Sequence, residues 1–484
     1  MNLLEFIFTT VFLLLGIRTT SWWLQNWQLR EYRWDRLKAN FSTKDGFLNL
    51  INLWFFKGIL PRPQKSGRVL MILGIFVFLS GTLFSFNQDT NLLPLYLITI
   101  IWERTIWLSL GVAVLISKIP VWIAQRVLFH LAKKIINESN NVTRVGITGS
   151  FGKSSTKELL VHLLKSKFNS ENVLWNPENQ NNEIAIARLV IKNKLFFKGD
   201  KQKIFVVEIG AYRLGEIKRV CEFIQPQIGI LTGLNAQHIA LFGSQRNIQK
   251  AKFELAESAS DKVFFNSDNK LLNEIFADKK IKATKLPISK LAAKNIESEI
   301  NKTNFTVYGQ DMILPWAGEF FVYNGLLAME VAREFGMTPK EIALSLTNLP
   351  PLPRALTIEK HYSGATIIKD LYSANPDGVF SAIDHLGKFK GKKIFIAIPL
   401  LELGKKSKEI HAEIFQKLKN IEAEIFWLKK DFRDLGCKTC GKNFHGSDLL
   451  KLRNMLKDLS KDDAILLESR LPKNVLQILK ETLK

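Results

Sequence analysis

Cysteine is scarce in this sequence: Cys221, Cys437 and Cys440 are the three cysteines among 484 residues. So few thiols argue against a disulfide-stabilised secreted fold and favour a reducing compartment. Cys437 and Cys440 together with His445 suggest zinc, but a structural zinc site needs four ligands and no second cysteine pair exists. We therefore interpret this segment as a loop with two free thiols.

Acidic residues are also in short supply. The chain has 68 Lys and Arg against 45 Asp and Glu, a formal net charge of +23. Such an excess of positive charge is typical of proteins that bind nucleic acid or an anionic membrane surface. No run alternates basic and aromatic residues as in a single-strand binder, so we predict a membrane partner and no nucleic acid.

Long apolar runs are missing from most of the chain. They are concentrated in its first 118 residues. Leu3 to Ile17, Val69 to Phe86 and Leu92 to Ile116 each approach the ~20 residues that cross a bilayer, the first being short. The first run lacks the basic start and the small-residue cleavage site of a signal peptide. We therefore predict about three transmembrane helices.

The charges around these runs predict their orientation. The loop from Arg18 to Arg68 holds ten Lys and Arg against three acids, which places it in the cytoplasm by the positive-inside rule. The chain after Ser117 is then cytoplasmic too, so we predict a multi-pass protein of the inner membrane with cytoplasmic catalytic domains. Glu103 and Arg104 lie within the third run, and over a functional charge we favour either a neutralising pair that faces another helix or a break between two half-segments. Ile119 to Ile136 is amphipathic and predicts a helix on the membrane surface.

A glycine loop opens the soluble part. Arg144 to Thr148 predicts a buried strand, G-S-F-G-K-S-S follows from Gly149 to Ser155, and Lys157 to Lys167 has helical periodicity. A strand, a glycine loop and a helix in this order predict a phosphate-binding loop, in which backbone amides and the helix N-terminus hold phosphate oxygens. We expect Lys153 to bind the β- and γ-phosphates of ATP and the Ser154 hydroxyl to bind Mg²⁺.

The loop and the motifs after it resemble the Mur ligase family. Thr148 to Ser155 is similar to the family loop T-G-[ST]-x-G-K-[ST]-[ST], and Asn179 to Ile184 to the N-x-N-N-E-I motif of the branch that adds D-alanyl-D-alanine to a UDP-muramoyl tripeptide. The resemblance implies that Gly149, Ser150, Gly152 and Ser155 contact the nucleotide. It also implies that the amides of Asn179, Asn181 and Asn182 contact substrate.

Three further residues match family positions near the loop. Glu208 ends an apolar strand similar to V-x-E-x-G, and His238 follows a strand in the pattern T-x5-H. The resemblance implies that both bind Mg²⁺ with Ser154, and that Lys153 and His238 are catalytic. Lys252 matches the lysine that Mur ligases carry as a carbamate; a carbamate suits the hard Mg²⁺ ion, while a solvated helix face is the alternative.

The second half of the resemblance is colinear but less complete. Asn324, Arg354 and Asp370 match positions that imply contacts with the nucleotide, and Tyr372 and Asn375 lie in a run similar to D-x-Y-N-A-N-P that implies contact with substrate. The chain departs from the family pattern at Glu178, Gly233, Phe321 and Leu467. It also has apolar runs where the family has a small domain that binds the uridine nucleotide.

Together these patterns predict an α/β protein with N-terminal transmembrane helices. We expect a membrane region at 1–118, an amphipathic helix at 119–140, a central ATP-binding parallel-sheet domain at 141–350 and a C-terminal Rossmann-like domain at 354–484. The proline-rich stretch from Pro350 to Arg354 marks the boundary between the last two.

The resemblance implies an ADP-forming ligase that uses ATP and Mg²⁺. Such an enzyme activates a carboxylate as an acyl phosphate and couples it to the amine of an amino acid or dipeptide, here D-alanyl-D-alanine addition in peptidoglycan synthesis. Two alternatives remain open: a related ligase acting on a lipid-linked acceptor, and a non-enzymatic membrane scaffold with a worn nucleotide site.

Overall fold

A computed structural model describes most of the chain, namely residues 3–41, 63–90, 93–177, 180–235, 239–299, 301–316, 318–350, 357–370, 376–400, 403, 406–469 and 471–482. The chain divides into two compact units, Met1–Val127 and Leu128–Lys484.

The first unit is helical. Its helices are α1 (Leu3–Leu29), α2 (Trp34–Phe41), α3 (Gly67–Thr90) and α4 (Leu95–Asn137), the last of which continues into the second unit. Helices α1, α3 and α4 are long and apolar enough to cross a membrane. Only 11% to 28% of the residues in their most apolar segments are buried in the protein. The apolar side chains thus face outward, which water would penalise and lipid would not.

Polar side chains within this unit face neighbouring helices. Thr19 on α1 donates a hydrogen bond to Glu103 on α4 (2.8 Å), and Arg104 lies 3.3 Å from the same carboxylate. Trp102 donates to Ser80 on α3 (3.0 Å), and its ring lies so close to Gly16 that a Cβ there would approach it to 2.1 Å. Glu103 and Arg104 therefore form the neutralising pair that we favoured from the sequence.

One continuous helix replaces two predicted ones. Helix α4 has 43 residues with Pro120 inside it, so the third apolar run and the predicted surface helix are joined without a break. Proline removes one helical hydrogen bond, but it did not end the helix here. At 1.5 Å per residue the helix is about 64 Å long, roughly twice the hydrocarbon thickness of a bilayer.

The second unit begins with a six-stranded parallel sheet in the order β2-β3-β1-β4-β5-β6. The strands are β1 (Val142–Thr148), β2 (Val173–Trp175), β3 (Lys203–Glu208), β4 (Ile228–Leu231), β5 (Lys262–Asn266) and β6 (Thr284–Ile288). The four inner strands β3, β1, β4 and β5 are mostly apolar and buried, as parallel strands covered on both faces require, while the edge strands β2 and β6 are more exposed.

Helices cover both faces of this sheet. They are α5 (Lys153–Phe168), α6 (Glu183–Lys192), α7 (Glu216–Ile224), α8 (Ile239–Phe242), α9 (Gln245–Ser258), α10 (Lys270–Asp278), α11 (Phe320–Glu334) and α12 (Pro339–Leu346). One core joins the sheet to α5 and α11, and the other joins it to α6, α7, α9 and the last turns of α4. A small antiparallel sheet of β7 (Lys294–Ser298), β8 (Thr303–Val307) and β9 (Gln310–Leu314) extends the first core.

A second sheet forms the C-terminal domain. Its order is β10-β11-β14-β12-β13, parallel except for the edge strand β10. The strands are β10 (Thr357–Lys360), β11 (Thr366–Asp370), β12 (Lys393–Ala397), β13 (Glu424–Trp427) and β14 (Ala464–Glu468). The helices are α13 (Pro376–Leu386), α14 (Ser407–Asn420), α15 (Arg433–Cys440), α16 (Leu449–Lys457) and α17 (Lys473–Thr482). The predicted α/β class, with a parallel-sheet central domain and a Rossmann-like C-terminal domain, is confirmed.

Candidate nucleotide site

A glycine loop joins β1 to α5 at the carboxyl edge of the central sheet. Gly152 has φ 77° and Gly149 has φ 156°. A Cβ at Gly152 would lie 2.3 Å from Asn324 Oδ1, and one at Gly149 would lie 2.2 Å from Thr232 Oγ1. Both positions therefore need glycine for conformation and for space.

Lys153 is the first residue of α5 and curls back over the loop. Its ammonium donates to the carbonyls of Gly149 (2.8 Å) and Ser150 (3.2 Å). Burial lowers the pKa of Lys153, and the negative charge of Glu208 opposes that shift. Carbonyl oxygens thus hold this cation at the place where phosphate oxygens can replace them.

The Glu208 carboxylate is the centre of a hydrogen-bond network at the end of β3. Ser154 Oγ donates to one carboxylate oxygen and Asn181 Nδ2 to the other, each at 2.9 Å. Asn176 holds the Glu208 backbone from both sides, donating to its carbonyl (2.9 Å) and accepting from its amide (2.8 Å). The carboxylate is therefore fixed in position beside the glycine loop.

Lys157 is a site residue that the sequence analysis missed. Its side chain is fully buried and its ammonium lies 3.0 Å from Glu158, 3.6 Å from Glu208 and 3.0 Å from the Asn176 carbonyl. A lysine one turn after Lys153 looks like part of a solvated helix face in a lysine-rich chain. The sequence feature that could have indicated burial is the position of Lys157 on the apolar side of α5, between Leu159 and the loop.

Lys252 on α9 is 4% exposed, so the alternative of a solvated helix face is wrong. Its amine donates to the Ala211 carbonyl at 3.3 Å. Burial, and after it the positive charge of Lys153, lower the pKa of Lys252 to about 7. A substantial fraction of this amine is thus neutral near neutral pH, and only a neutral amine can react with carbon dioxide.

Three predicted ligand-binding amides make internal contacts. Asn324 is buried beneath the loop and donates to Ser155 Oγ at 2.9 Å. Asn182 is the N-cap of α6, where its side chain accepts from the Ala185 amide at 2.9 Å. Asn181 binds Glu208, as described above. In this structure these three side chains position the loop, α6 and the carboxylate.

Five predicted site residues lie outside the described residues: Asn179, His238, Arg354, Tyr372 and Asn375. Asp370, the remaining one, ends β11 in the C-terminal sheet, next to Glu468 at the end of β14. The carboxyl edges of the two sheets are joined by a hydrogen bond of 2.5 Å from Asn235, just after β4, to Asp377 in the first turn of α13.

The departures from the family pattern have packing explanations at two positions. A Cβ at Gly233 would lie 2.3 Å from the Phe151 ring, so this ring occupies the space that a larger residue at 233 would need. Phe321 is buried in the central core against Trp316, with ring centroids 5.3 Å apart.

Oxygen ligands for Mg²⁺ converge at the loop. Ser154 Oγ and the Glu208 carboxylate are in contact, and hard oxygen donors are what this ion prefers. The two residues fit the ion. Elsewhere, Cys437 and Cys440 are free thiols as predicted, but they lie in helix α15 and not in a loop. His445 pairs with Glu424 and Cys440 donates to the Phe415 carbonyl, so no metal-ligand set converges there among the residues that the structure describes.

These features define a phosphate-binding-loop domain of the α/β type, followed by a Rossmann-like domain. A family model described as the Mur ligase middle domain matches residues 147–332. The chain is therefore similar to the Mur ligase middle domain over these residues, and its fold is that of the Mur ligases.

Relatives and solved structures agree with this assignment. A UDP-N-acetylmuramoyl-tripeptide–D-alanyl-D-alanine ligase of Buchnera aphidicola is 28% identical over 356 residues, which are 70% of this chain and 75% of that protein. Other ligases of the same name match over 49% to 63% of their own length. MurF ligase from Thermotoga maritima in complex with ADP superposes with a TM-score of 0.63 at 22% identity, over 74% of this chain and 84% of that one. MurF from Acinetobacter baumannii superposes with a TM-score of 0.64 at 20% identity, over 74% of this chain and 80% of that one.

Proposed function

We propose that this chain is an ATP-dependent, ADP-forming ligase that adds D-alanyl-D-alanine to a UDP-muramoyl tripeptide in peptidoglycan precursor synthesis. The observation that carries the proposal is the glycine loop with Lys153 and the Ser154–Glu208 pair at one sheet edge, in a chain with the Mur ligase fold. The names of its relatives support the choice of substrates.

The chemistry assigned to this site proceeds in two steps. A carboxylate oxygen of the acceptor attacks the γ-phosphorus of ATP, so that an acyl phosphate forms and ADP leaves. The amine of the dipeptide then attacks the acyl carbon, the amide forms and phosphate leaves.

The residues have distinct roles in this proposal. Loop amides from Gly149 to Ser155 and the Lys153 ammonium hold the phosphates in line, and Asn324 supports the loop from below. Ser154 and Glu208 would hold Mg²⁺, which neutralises phosphate charge when bound. His238 and a carbamate on Lys252 are further proposed ligands, and Asn179, Arg354, Tyr372 and Asn375 keep their proposed contacts with nucleotide and substrate.

An acceptor assay tests the function. We expect the full-length chain in detergent to release ADP only when ATP, a UDP-muramoyl tripeptide and D-alanyl-D-alanine are all present, with the pentapeptide product visible by mass. ADP release with a lipid-linked acceptor but not with the UDP-linked one would replace the proposed acceptor. ATP turnover equal in wild type and Lys153→Ala with every acceptor would support the scaffold alternative instead.

We also propose that α1, α3 and α4 anchor the enzyme in the inner membrane with its catalytic domains in the cytoplasm. The support is their length, their outward apolar side chains and the basic loop between α1 and α3. Membranes washed with alkaline carbonate should retain the full-length chain, and a variant starting at residue 128 should be found in the wash. Release of the full-length chain would contradict the anchor.

A further inference from the structure

The first unit carries cationic and hydrogen-bond-donating side chains at the corner where α1 ends and α3 begins. Gln28, near the end of α1, donates to the Gln64 carbonyl (2.8 Å) and accepts from the Gln64 amide (2.7 Å), which ties these two chain segments together. Arg68, the second residue of α3, places its guanidinium 4.1 Å from the centre of the Tyr32 ring. Arg30 lies two residues before Tyr32, in the turn that follows α1. Two arginines therefore belong to this corner.

Three nitrogen donors in this corner lack acceptors. The Trp27 side chain is 5% exposed, and its Nε1 has no hydrogen-bond partner among the described residues. The buried Nε atoms of Arg30 and Arg68 also have none there. Indole and guanidinium nitrogens carry protons and can only donate. Because buried polar groups are normally paired, three unmet donors around one corner indicate a place for a ligand that accepts hydrogen bonds.

The charges at this corner fit an anion. Glu31 is the acidic residue of the turn, and its carboxylate lies 3.0 Å from the guanidinium of Arg36. Neither Arg30 nor Arg68 forms an ion pair with an acidic side chain that the structure describes. Positive charge thus lies beside unmet donors, and an anion complements both.

The backbone of the turn is strained. Glu31 and Tyr32 have φ values of 55° and 57°, so two consecutive residues that are not glycine adopt the left-handed conformation. The Tyr32 amide donates to the Trp27 carbonyl (2.8 Å), which folds the chain back over the end of α1. This conformation holds the Tyr32 ring where Arg68 stacks on it. Strained residues of this kind cluster at ligand-binding and active sites.

The donor set favours a phosphate group as the anion. Guanidinium groups bind phosphate oxygens through paired N–H donors, and an indole N–H can donate to a further oxygen. The corner lies at the ends of two apolar helices, α1 and α3, where the phosphates of lipid headgroups are found if these helices cross a bilayer. Free phosphate offers the same oxygens from solution.

We propose that Trp27, Arg30 and Arg68 form a phosphate-binding site in the first unit, filled by the phosphate of an anionic lipid headgroup or by free phosphate. The site is separate from the nucleotide loop and goes beyond the ligase function. The headgroup as a source rests on the proposed membrane anchor. A bound phosphate contacts Arg30 after α1 and Arg68 on α3 at once, so the ligand joins the two helices.

Binding of matched lipids to the full-length chain in detergent tests the site. The probes are dioctanoyl phosphatidic acid and dioctanoylglycerol, which differ only in the phosphate, and native mass spectrometry measures the bound fraction. Wild type should bind the phosphatidic acid at least tenfold more tightly than dioctanoylglycerol. Arg30→Gln and Arg68→Gln should each lose most of that difference, and Arg68→Lys should lose less than Arg68→Gln because lysine keeps the charge. Lys118→Gln, at an exposed lysine just after the third apolar run, is the control and should bind both lipids as wild type does.

Competition with inorganic phosphate distinguishes the two sources. Displacement of phosphatidic acid by millimolar phosphate would make free phosphate a ligand of the site, and its failure to displace would make the lipid headgroup the ligand. Equal binding of the two lipids by wild type, or an equal loss in Lys118→Gln, would overturn the site. If the glutamine variants unfold, a photoreactive phosphatidic acid decides on wild type: labelling within residues 27–36 or 63–70 supports the site, and labelling elsewhere overturns it.

These outcomes are separate from those of the other proposals. The lipid measurements contain neither ATP nor acceptor, so their failure leaves the ligase function standing. If inorganic phosphate binds but alkaline carbonate releases the full-length chain from membranes, the anchor fails while the phosphate site stands.

Discussion

The central and C-terminal sheets both place acidic side chains at their carboxyl edges, but the two edges differ in how those side chains are satisfied. Glu208 receives hydrogen bonds from Ser154 and Asn181 and has a buried lysine nearby. Glu468 is equally buried and has no such partners among the described residues. Hydrogen bonds within the protein hold the first carboxylate, whereas the second carboxyl is buried with its hydrogen-bonding capacity unmet by the described residues. The partners of a buried carboxylate thus show whether it is a part of the framework.

Removing Lys153 should have the largest effect, because it takes away the cation that meets the transferred phosphate. We expect Lys153→Ala to lower kcat/KM for ATP by at least about 10³-fold. The measurement is the rate of ADP release with both substrates present. Lys340→Ala, an exposed lysine on α12, should retain wild-type activity; a similar loss there would mean that the effect is one of net charge.

Leucine substitutions at Glu208 and Glu468 should change the free energy of unfolding in opposite directions. Glu208→Leu removes the carboxylate that accepts hydrogen bonds from Ser154 and Asn181 and lies 3.6 Å from the buried Lys157 ammonium, and it should lower the free energy of unfolding by about 3 kcal/mol. Glu468→Leu removes a carboxyl that has no partner and should raise it by about 1–2 kcal/mol. Denaturant unfolding of the chain from residue 128 onward measures both. Equal destabilisation by the two variants would remove the distinction between the edges.

Replacing each of two glycines by alanine distinguishes the effect of backbone strain from that of steric overlap. Gly152 and Gly199 both have left-handed φ values, 77° and 94°, but a Cβ at Gly199 meets nothing within 4 Å while one at Gly152 meets Asn324. Gly199→Ala should cost about 1 kcal/mol of stability and leave nucleotide binding intact. Gly152→Ala should weaken ADP binding about tenfold or more, as titration calorimetry would show. Equal ADP affinity in the two variants would mean that Asn324 yields to the added methyl group.

The smallest expected effect is a pH dependence at Lys252. Its pKa is lowered in the folded state, so the neutral amine becomes more abundant as the pH rises through about 7. If a carbamate forms there, activity should increase several-fold between about pH 6 and pH 8 and should increase further with added bicarbonate at the lower pH. Lys252→Met should show neither response. A bicarbonate response that persists in Lys252→Met would place the carbamate elsewhere or exclude it.

The sequence was sufficient to predict those parts of the structure that depend on residues close together in the chain. The strand, glycine loop and helix around Lys153 could be predicted because all of their determinants lie within about 25 residues. Lys157 could not, because its role depends on Asn176 and Glu208, which reach it only through the parallel pairing of β3 with its neighbours.

Other contacts could not be predicted from the sequence, for related physical reasons. Asn181 matched a substrate motif, yet it binds Glu208, since a side-chain amide serves an internal carboxylate as well as a ligand. The third apolar run and the surface helix were predicted as separate helices, but α4 continues through Pro120 because the surrounding apolar sequence favours helix on both sides. The burial of Glu468 beside Asp370 depends on the pairing of β14 with β11, which the sequence does not indicate.

The contact between Phe151 and Gly233 has a consequence for how this loop can evolve. A side chain at 233 would strike the Phe151 ring, and a small residue at 151 would leave a gap beside the glycine. A larger residue at 233 should therefore be accommodated only together with a smaller one at 151.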